Sequence, residues 1–586
     1  MYLKCSTRKK DGKEHRSWSM VESRRVRRGG VIQRHVLYLG EINDSQRSAW
    51  EKAIEVFDEE KRESTQMALF PEDRQPGVSD SEVVQVRLQE LTLHRPRQWG
   101  ACWLVCWLWD RVGLEEFWNS WLLSSREGTD WVKVLKVMVC YRLLDPGSEW
   151  RLHRHWYEQS AMGDLLGEDF RLAAADTLYR CHDRLLEHKE ALFSHLKDRW
   201  KDLFNAKFEV LLYDLTSTYF ESDPPFPGTD KRKFGYSRDK RSDCVQVVIA
   251  LIVTPEGFPL AYEVLAGNTQ DKTTLKAFLE KIEKRYGKAD RTWVMDRGIP
   301  TEEVLTLMRE SKEPIHYLVG TPKGRLTELE KDLLDKPRQK VREGIEVKLL
   351  PQEKEVYVLA QSLHRISKER AMRRRQLKKL WKRMGELQVM KLTRDQLLLK
   401  LGGARQESPS AWRLVKVNLP TQKNFTQNVP FKFSLNKDLL RKIRRREGRY
   451  LLRTNLTHED PAKLWEFYTQ LVQVEEVFKN LKGDLALRPI FHQKEDRVEA
   501  HIFIAFLAYC LQVTLHRQLR DLAPGLTPRS VFEKFSSIQM IDVHLPATDG
   551  RRLLLSRYTQ PNADTQLLMG TSGNSVDFLV YWDGWW

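Results

Sequence analysis

The chain is poor in cysteine, with seven in 586 residues, at positions 5, 102, 106, 140, 181, 244 and 510, and no CxxC pair. That scatter excludes a zinc module built on paired cysteines and a disulfide framework, and fits a reducing compartment. The run read as the most apolar is interrupted by charge. The stretch ACWLVCWLWDRVGLEEFWNSWLL is broken by Asp110, Arg111, Glu115 and Glu116, short of the ~20 apolar residues a membrane span needs. The opening MYLKCSTRKKDGKEHRSW is polar and carries no apolar leader segment, and no internal repeat is visible. The expectation is a cytoplasmic protein.

What is present is length, tryptophan and positive charge. A chain this long exceeds the ~250 to 300 residues at which one core stops growing, so two to four domains are expected. Its 41% hydrophobic residues and 19 Trp suit a folded protein and not a disordered one. Lys and Arg outnumber Asp and Glu by 98 to 81, with a pI near 9.4. A polyanionic partner, nucleic acid first, fits that balance, as does a merely basic soluble protein.

Along the chain, residues 14–40 read as two strands around Gly29-Gly30, with Arg24, Arg25, Arg27, Arg28 and Arg34 gathered on the hairpin. These arginines suit either a phosphate backbone or a solvated tip. The polar stretch FPEDRQPGVSDSE (70–82) marks a boundary. Apolar residues then recur at helical spacing from about 87 to 205. Strand character follows in KFEVLLYDLTSTYFE and CVQVVIALIVTPEGFPLAYEVLAG, a helix in DKTTLKAFLEKIEKRYG with Asp271 as its expected N-cap, then strands RTWVMD and IHYLVG. This order describes a mixed α/β sheet. A charged segment, 325–448, interrupts it. Within that segment Ile366, Leu377, Leu380, Met384 and Leu387 form one stripe, with nine Lys or Arg between 368 and 383. GRYLLRTNL then resumes the strand pattern.

Three carboxylates fall where an α/β sheet gathers ligands: Asp214 and Asp296, read as ending strands, and Glu475 on the helix after the last strand. Oxygen ligands of this kind suit Mg²⁺ or Mn²⁺, and paired ions can activate a water or 3′-hydroxyl for phosphodiester chemistry. Taken singly, an Asp at a strand end is a cap and a helical Glu a solvated side chain.

In that order the residues resemble the bacterial insertion-sequence transposases of the DDE type, whose catalytic core is ribonuclease H-like. The subgroup marks its catalytic Glu by Tyr, two residues, Arg, three residues, Glu, six residues and Lys. Here these positions hold Tyr468, Leu471, Glu475 and Lys482, so Leu471 departs from the pattern. GYSRDKRSDCVQV, GNTQDKTT, DRGI and RPIFHQKEDRVEAHIFIAFLA agree with the family as well. Tyr468, Glu475 and Lys482 are seven apart, two helical turns, so all three are expected to project from one face, from which Glu476 is rotated by about 100°.

The resemblance implies an α/β fold with a ribonuclease H-like core (206–324 and 449–525) split by an insertion domain (325–448). A basic N-terminal hairpin region (1–85), a helical domain (86–205) and a C-terminal region (526–586) complete the expected organisation. It implies a DNA transposase that cuts at the ends of its own element and joins them to target DNA, with Asp214, Asp296 and Glu475 as catalytic residues and metal ligands. Lys482 and Tyr468 serve the DNA near the scissile bond, and double-stranded DNA bound by at least a dimer, in the bacterial nucleoid, is the expected partner. Arg488, Arg497, Arg24 and Arg25 are further candidate phosphate contacts. Trp381 and Trp412 are open to stacking on a flipped base or to core packing, and His492 and His501 to a structural or a site role. The rival readings are a transposon-derived DNA-binding protein without catalysis, and a metal-dependent nuclease without strand transfer.

Overall fold

The structure, a computed structural model, describes residues 2–10, 13–25, 31–42, 46–47, 50, 86–125, 128–221, 230–286, 291–311, 313, 315–321, 329, 337–390, 392–419, 431–570 and 580–581. The chain divides into two compact units, the first made of residues 1–7, 16–304 and 469–586 and the second of 8–15 and 305–468.

β1 (Tyr2–Lys10), β2 (Lys13–Arg25) and β3 (Val31–Gly40) open the chain. β2 and β3 pair antiparallel from Trp18 opposite Gly40 to Arg25 opposite Val31, the hairpin expected from the sequence. Its tip, residues 26–30, and the side chains of Arg24 and Arg25 lie outside the described residues.

In the first unit β4 (Thr92–Gln98) leads into five main helices: α1 (Gly100–Arg111), α2 (Leu114–Trp121), α3 (Trp131–Leu144), α4 (Ala175–His182) and α5 (Lys189–Phe204). α3 starts where the Asp130 carboxylate accepts hydrogen bonds from the Val132 and Lys133 amides, and nearly all of its residues are buried, Lys136 and Arg142 among them.

The sheet of this unit has the order β7 (Pro259–Ala266), β6 (Val245–Val253), β5 (Val210–Phe220), β8 (Thr292–Met295). β5, β6 and β7 are antiparallel neighbours, and β5 and β8 are parallel. Every residue of β6 and β8 is buried, which explains their unbroken VQVVIALIV and TWVM runs in place of alternation. The crossover from β7 to β8 passes through α6 (Leu275–Tyr286). Asp271 is not its cap: it sits in a separate helical turn and pairs with Arg238, so the charge partner has outcompeted the cap.

The second unit carries an antiparallel sheet in the order β10 (Gln339–Arg342), β11 (Ile345–Gln352), β12 (Glu355–Ser362), β13 (Arg449–Thr454), β9 (His316–Gly320). Between β12 and β13 runs the 27-residue α7 (Leu363–Val389), N-capped by Ser362. Its buried Leu380, Met384 and Leu387 pack with Leu397 and Leu401 of α8 (Arg394–Glu407), while Leu377 and Trp412 are partly buried against the same cluster. Trp381 is 41% exposed and meets the Phe433 ring edge-on at 4.8 Å. α9 (Pro461–Thr469) ends the unit.

The chain returns to the first unit through α10 (Leu471–Lys482), α11 (Glu495–Leu522) and two strands, β14 (Gln539–Pro546) and β15 (Arg552–Tyr558), which complete an antiparallel sheet with β4. α11 is the one described helix long and apolar enough to cross a membrane, and its apolar window is 94% buried inside the protein, packed against α3 and α1. It is the core helix of this unit.

Candidate active site

The last pair in the β5–β8 register is Tyr213 opposite Met295. Asp214 and Asp296 are therefore the next residues on neighbouring parallel strands, a spacing of about 4.8 Å between backbones. Asp296 follows β8 directly, its carboxylate accepts a hydrogen bond from the Arg297 amide at 2.7 Å, and Gly298 turns the chain away with φ of +92°. Asp214 differs from the sequence expectation. It does not end its strand: β5 runs on to Phe220, because β6 goes on pairing with it after β8 has stopped. Asp214 thus stands at the edge of a gap left by the shorter strand, with its carboxylate accepting from the Leu215 amide at 2.8 Å.

α10 packs against β5 and β6 through Val474, Val477, Phe478 and Leu481, a spacing of three and four that leaves Glu475 off the buried stripe. Burial pushes the Asp214 carboxyl up to about 7, and the Asp296 and Glu475 charges add to it against the opposing Arg238. Two carboxylates from distant parts of the sequence thus act on Asp214. Glu476 acts elsewhere. Burial lifts the Tyr509 phenol well above its ordinary value with Glu476 adding to it, and burial lowers His516 while Glu476 opposes; both lie on α11.

The helix expected to carry Tyr468, Glu475 and Lys482 on one face is two helices. α9 stops at Thr469 and α10 begins at Leu471, because the Gln470 carbonyl is taken by the Gln473 amide in a tighter i→i+3 turn. Tyr468 stays with the second unit, its ring against Tyr450 and Trp465. Within α10 the two-turn spacing joins Glu475 and Lys482.

Lys482 donates to both oxygens of Asp239, at 3.2 and 3.0 Å, and Arg488 reaches the same carboxylate at 3.2 Å. Burial lowers the Lys482 ammonium against the pull of Asp239, and the Arg488 and Arg238 charges lower it further. The Arg488 guanidinium lies 4.4 Å from the Tyr219 ring centre and that of Arg241 4.8 Å, so β5 carries both an acidic member of the site and an aromatic platform for two arginines. Arg497 is engaged elsewhere, in a bidentate pair with Asp183 of the α4 terminus at 2.7 Å. Asp239 was not among the candidates read from the sequence. Its signal, an acid between Arg238 and Lys240, is indistinguishable from a solvated loop.

The antiparallel β7-β6-β5 triplet with β8 parallel beside it is the ribonuclease H-like arrangement, here carrying paired aspartates and a helical glutamate. Residues 206–511, just over half of the chain, match the transposase DDE domain, and the protein belongs to the DDE transposases, enzymes acting on DNA with divalent metal ions. Residues 3–73 match the N-terminal domain of the IS1634 family of transposases, placing it among insertion-sequence enzymes. A solved structure of piggyBac transposase in a synaptic complex with hairpin DNA aligns over 75% of this chain and 76% of that one, at 10% identity and a TM-score of 0.34. No curated protein matches the chain.

Proposed function

We propose that this transposase binds the terminal inverted repeats of its own element as at least a dimer on double-stranded DNA, cleaves at the ends and joins the 3′-hydroxyls to target DNA in the bacterial nucleoid. The carrying observation is the β5–β8 register, which makes Asp214 and Asp296 the residues after the last pair of two parallel neighbours, with Glu475 near enough for its charge to add to the burial that raises Asp214 to about 7. All-oxygen ligands fit Mg²⁺ or Mn²⁺, which when bound polarises the phosphoryl oxygens and the attacking hydroxyl. Asp214 and Asp296 would hold it from neighbouring strands and Glu475 from the helix. Lys482 and Arg488 bind and orient the phosphate flanking the scissile bond, exchanging Asp239 for it. Arg24, Arg25 and the N-terminal hairpin supply end recognition, and the basic α7 of the insertion adds backbone contacts. The domain limits that go with this reading are 1–85, 86–205, 206–324 with 449–525, 325–448 and 526–586.

The test is strand cleavage and joining on DNA carrying the element's ends with Mg²⁺. Asp214→Asn, Asp296→Asn and Glu475→Gln should each abolish cleavage, and Glu476→Gln should retain it. Equal loss in both glutamate variants sinks the site assignment. Cleaved ends that are never joined favour a nuclease, and end binding with no cleavage in the wild type favours a DNA-binding derivative.

A further inference from the structure

A second polar cluster lies buried in the first unit. Glu149 Oε1 accepts from His182 Nε2 and His492 Nε2, each at 3.2 Å, and lies 3.4 Å from His501 Nδ1. Arg142, also buried, approaches the same His501 Nδ1 at 3.4 Å with one terminal nitrogen and donates with the other to the Ala486 carbonyl at 3.1 Å. Burial pushes Glu149 up, yet hydrogen bonds from the three histidines more than reverse this and hold the carboxyl well below its ordinary value. Burial lowers His182, and pushes His501 down to about 3, so both imidazoles are neutral. The donor atoms of Glu149, His492 and His501 lie within 4.8 Å of one another, compact enough for a cation. Arg142 already supplies the positive charge that balances Glu149, and a divalent ion would have to sit beside its guanidinium.

What the cluster grips is the segment 486–492. Ala486, held at its carbonyl by Arg142, has a positive φ of +37°, a strained conformation for a residue with a Cβ that its surroundings must maintain. His492, held at its ring by Glu149, is the other end. Between them stands Arg488, in contact with Asp239 and the Tyr219 ring. We propose that Glu149, Arg142 and His492 are positioning residues that clamp the two ends of this segment and thereby set the Arg488 guanidinium at the strand bearing Asp214. The inference rests on the reading of Arg488 as a phosphate contact.

The test is a double-mutant cycle on the full chain, with binding to a duplex carrying the element's terminal sequence as readout. Arg488→Ala should weaken binding about tenfold, Glu149→Gln by a similar factor, and the pair by no more than either alone. Because Glu149→Gln leaves a buried guanidinium unbalanced, the cycle is repeated with Arg142→Met and Glu149→Met together, which removes both charges and should unfold cooperatively near the wild-type temperature while still binding weakly. His492→Gln, which restores an N–H at the Nε2 position, should recover the affinity that His492→Leu loses. Additive losses overturn the clamp, as does one equivalent of bound zinc that vanishes with Glu149→Gln. An unchanged affinity in Arg488→Ala alone overturns the reading of Arg488 itself, and the clamp with it.

Discussion

The Asp239 carboxylate holds the Lys482 ammonium at 3.0 Å. Both side chains are largely shielded, and the same carboxylate engages Arg488. If Lys482 and Arg488 seat a phosphate as proposed, that phosphate must displace an acid already in place. Asp239→Asn should tighten binding of any duplex by about five- to tenfold, a gain on the order of 1 kcal/mol, and steepen the fall of log affinity with log salt by about one unit. A salt titration of duplex binding checks it; an unchanged slope removes Asp239 from the phosphate seat.

The raised Asp214 carboxyl gives the metal-free protein a pH-dependent stability. Its ordinary value is 3.8 and its folded value about 7, so the folded state keeps a proton that the unfolded chain has lost between these limits. The contribution is present below pH 3.8 and disappears as pH rises through 7. Melting in EDTA should show Asp214→Asn more stable than wild type at pH 8, by on the order of 2 °C or more, and indistinguishable from it at pH 4. Mg²⁺ should raise the wild-type melting temperature more at pH 8 than at pH 5.

Leu471 stands at the first position of α10, half-buried. Restoring arginine there lets the aliphatic stem keep the apolar contact while the guanidinium reaches solvent or DNA. Leu471→Arg should change stability by less than about 1 kcal/mol and leave end cleavage equal or higher. Loss of cleavage with intact folding would show that the start of this helix is not beside DNA.

Arg97 of β4 and Asp542 of β14 form a bidentate pair at 2.8 Å, 1% and 6% exposed. Hydrogen bonds from Arg97 hold the Asp542 carboxyl far below its ordinary value. This stability is present above pH 3.8 and is lost as pH falls further. Asp542→Ala, which leaves the buried Arg97 guanidinium only the Asp164 carboxylate, 2.9 Å from its Nε, should cost about 3 kcal/mol, seen as a drop in denaturant midpoint with DNA-end cleavage per folded molecule unchanged.

The proposed metal ligands could be picked out as candidates because each stands in a recognisable local pattern: a strand-like run before Asp214, another before Asp296 with Gly298 behind it, and a helical stripe around Glu475. Strand ends were read less well. The end of β8 is local, but that of β5 depends on β6 still pairing beyond Asp214, which no residue near Asp214 encodes. The helix around Tyr468 was misread because periodicity sees side chains, whereas the break at Gln470 is a change in which carbonyl an amide chooses. Asp239 and Glu149 were invisible for another reason. Their meaning lies in partners 243 and 343 residues away.

The parallel register of β5 and β8 carries a consequence for how copies of such an element decay. Four residue pairs, from Val210 with Thr292 to Tyr213 with Met295, fix where the two aspartates stand, and the length of chain between Asp214 and Thr292 does not. Loss of one codon within either quartet turns the following aspartate to the opposite side of the sheet, and on the proposed metal site that silences the copy at once. Loss of a codon in the connecting turns can be absorbed.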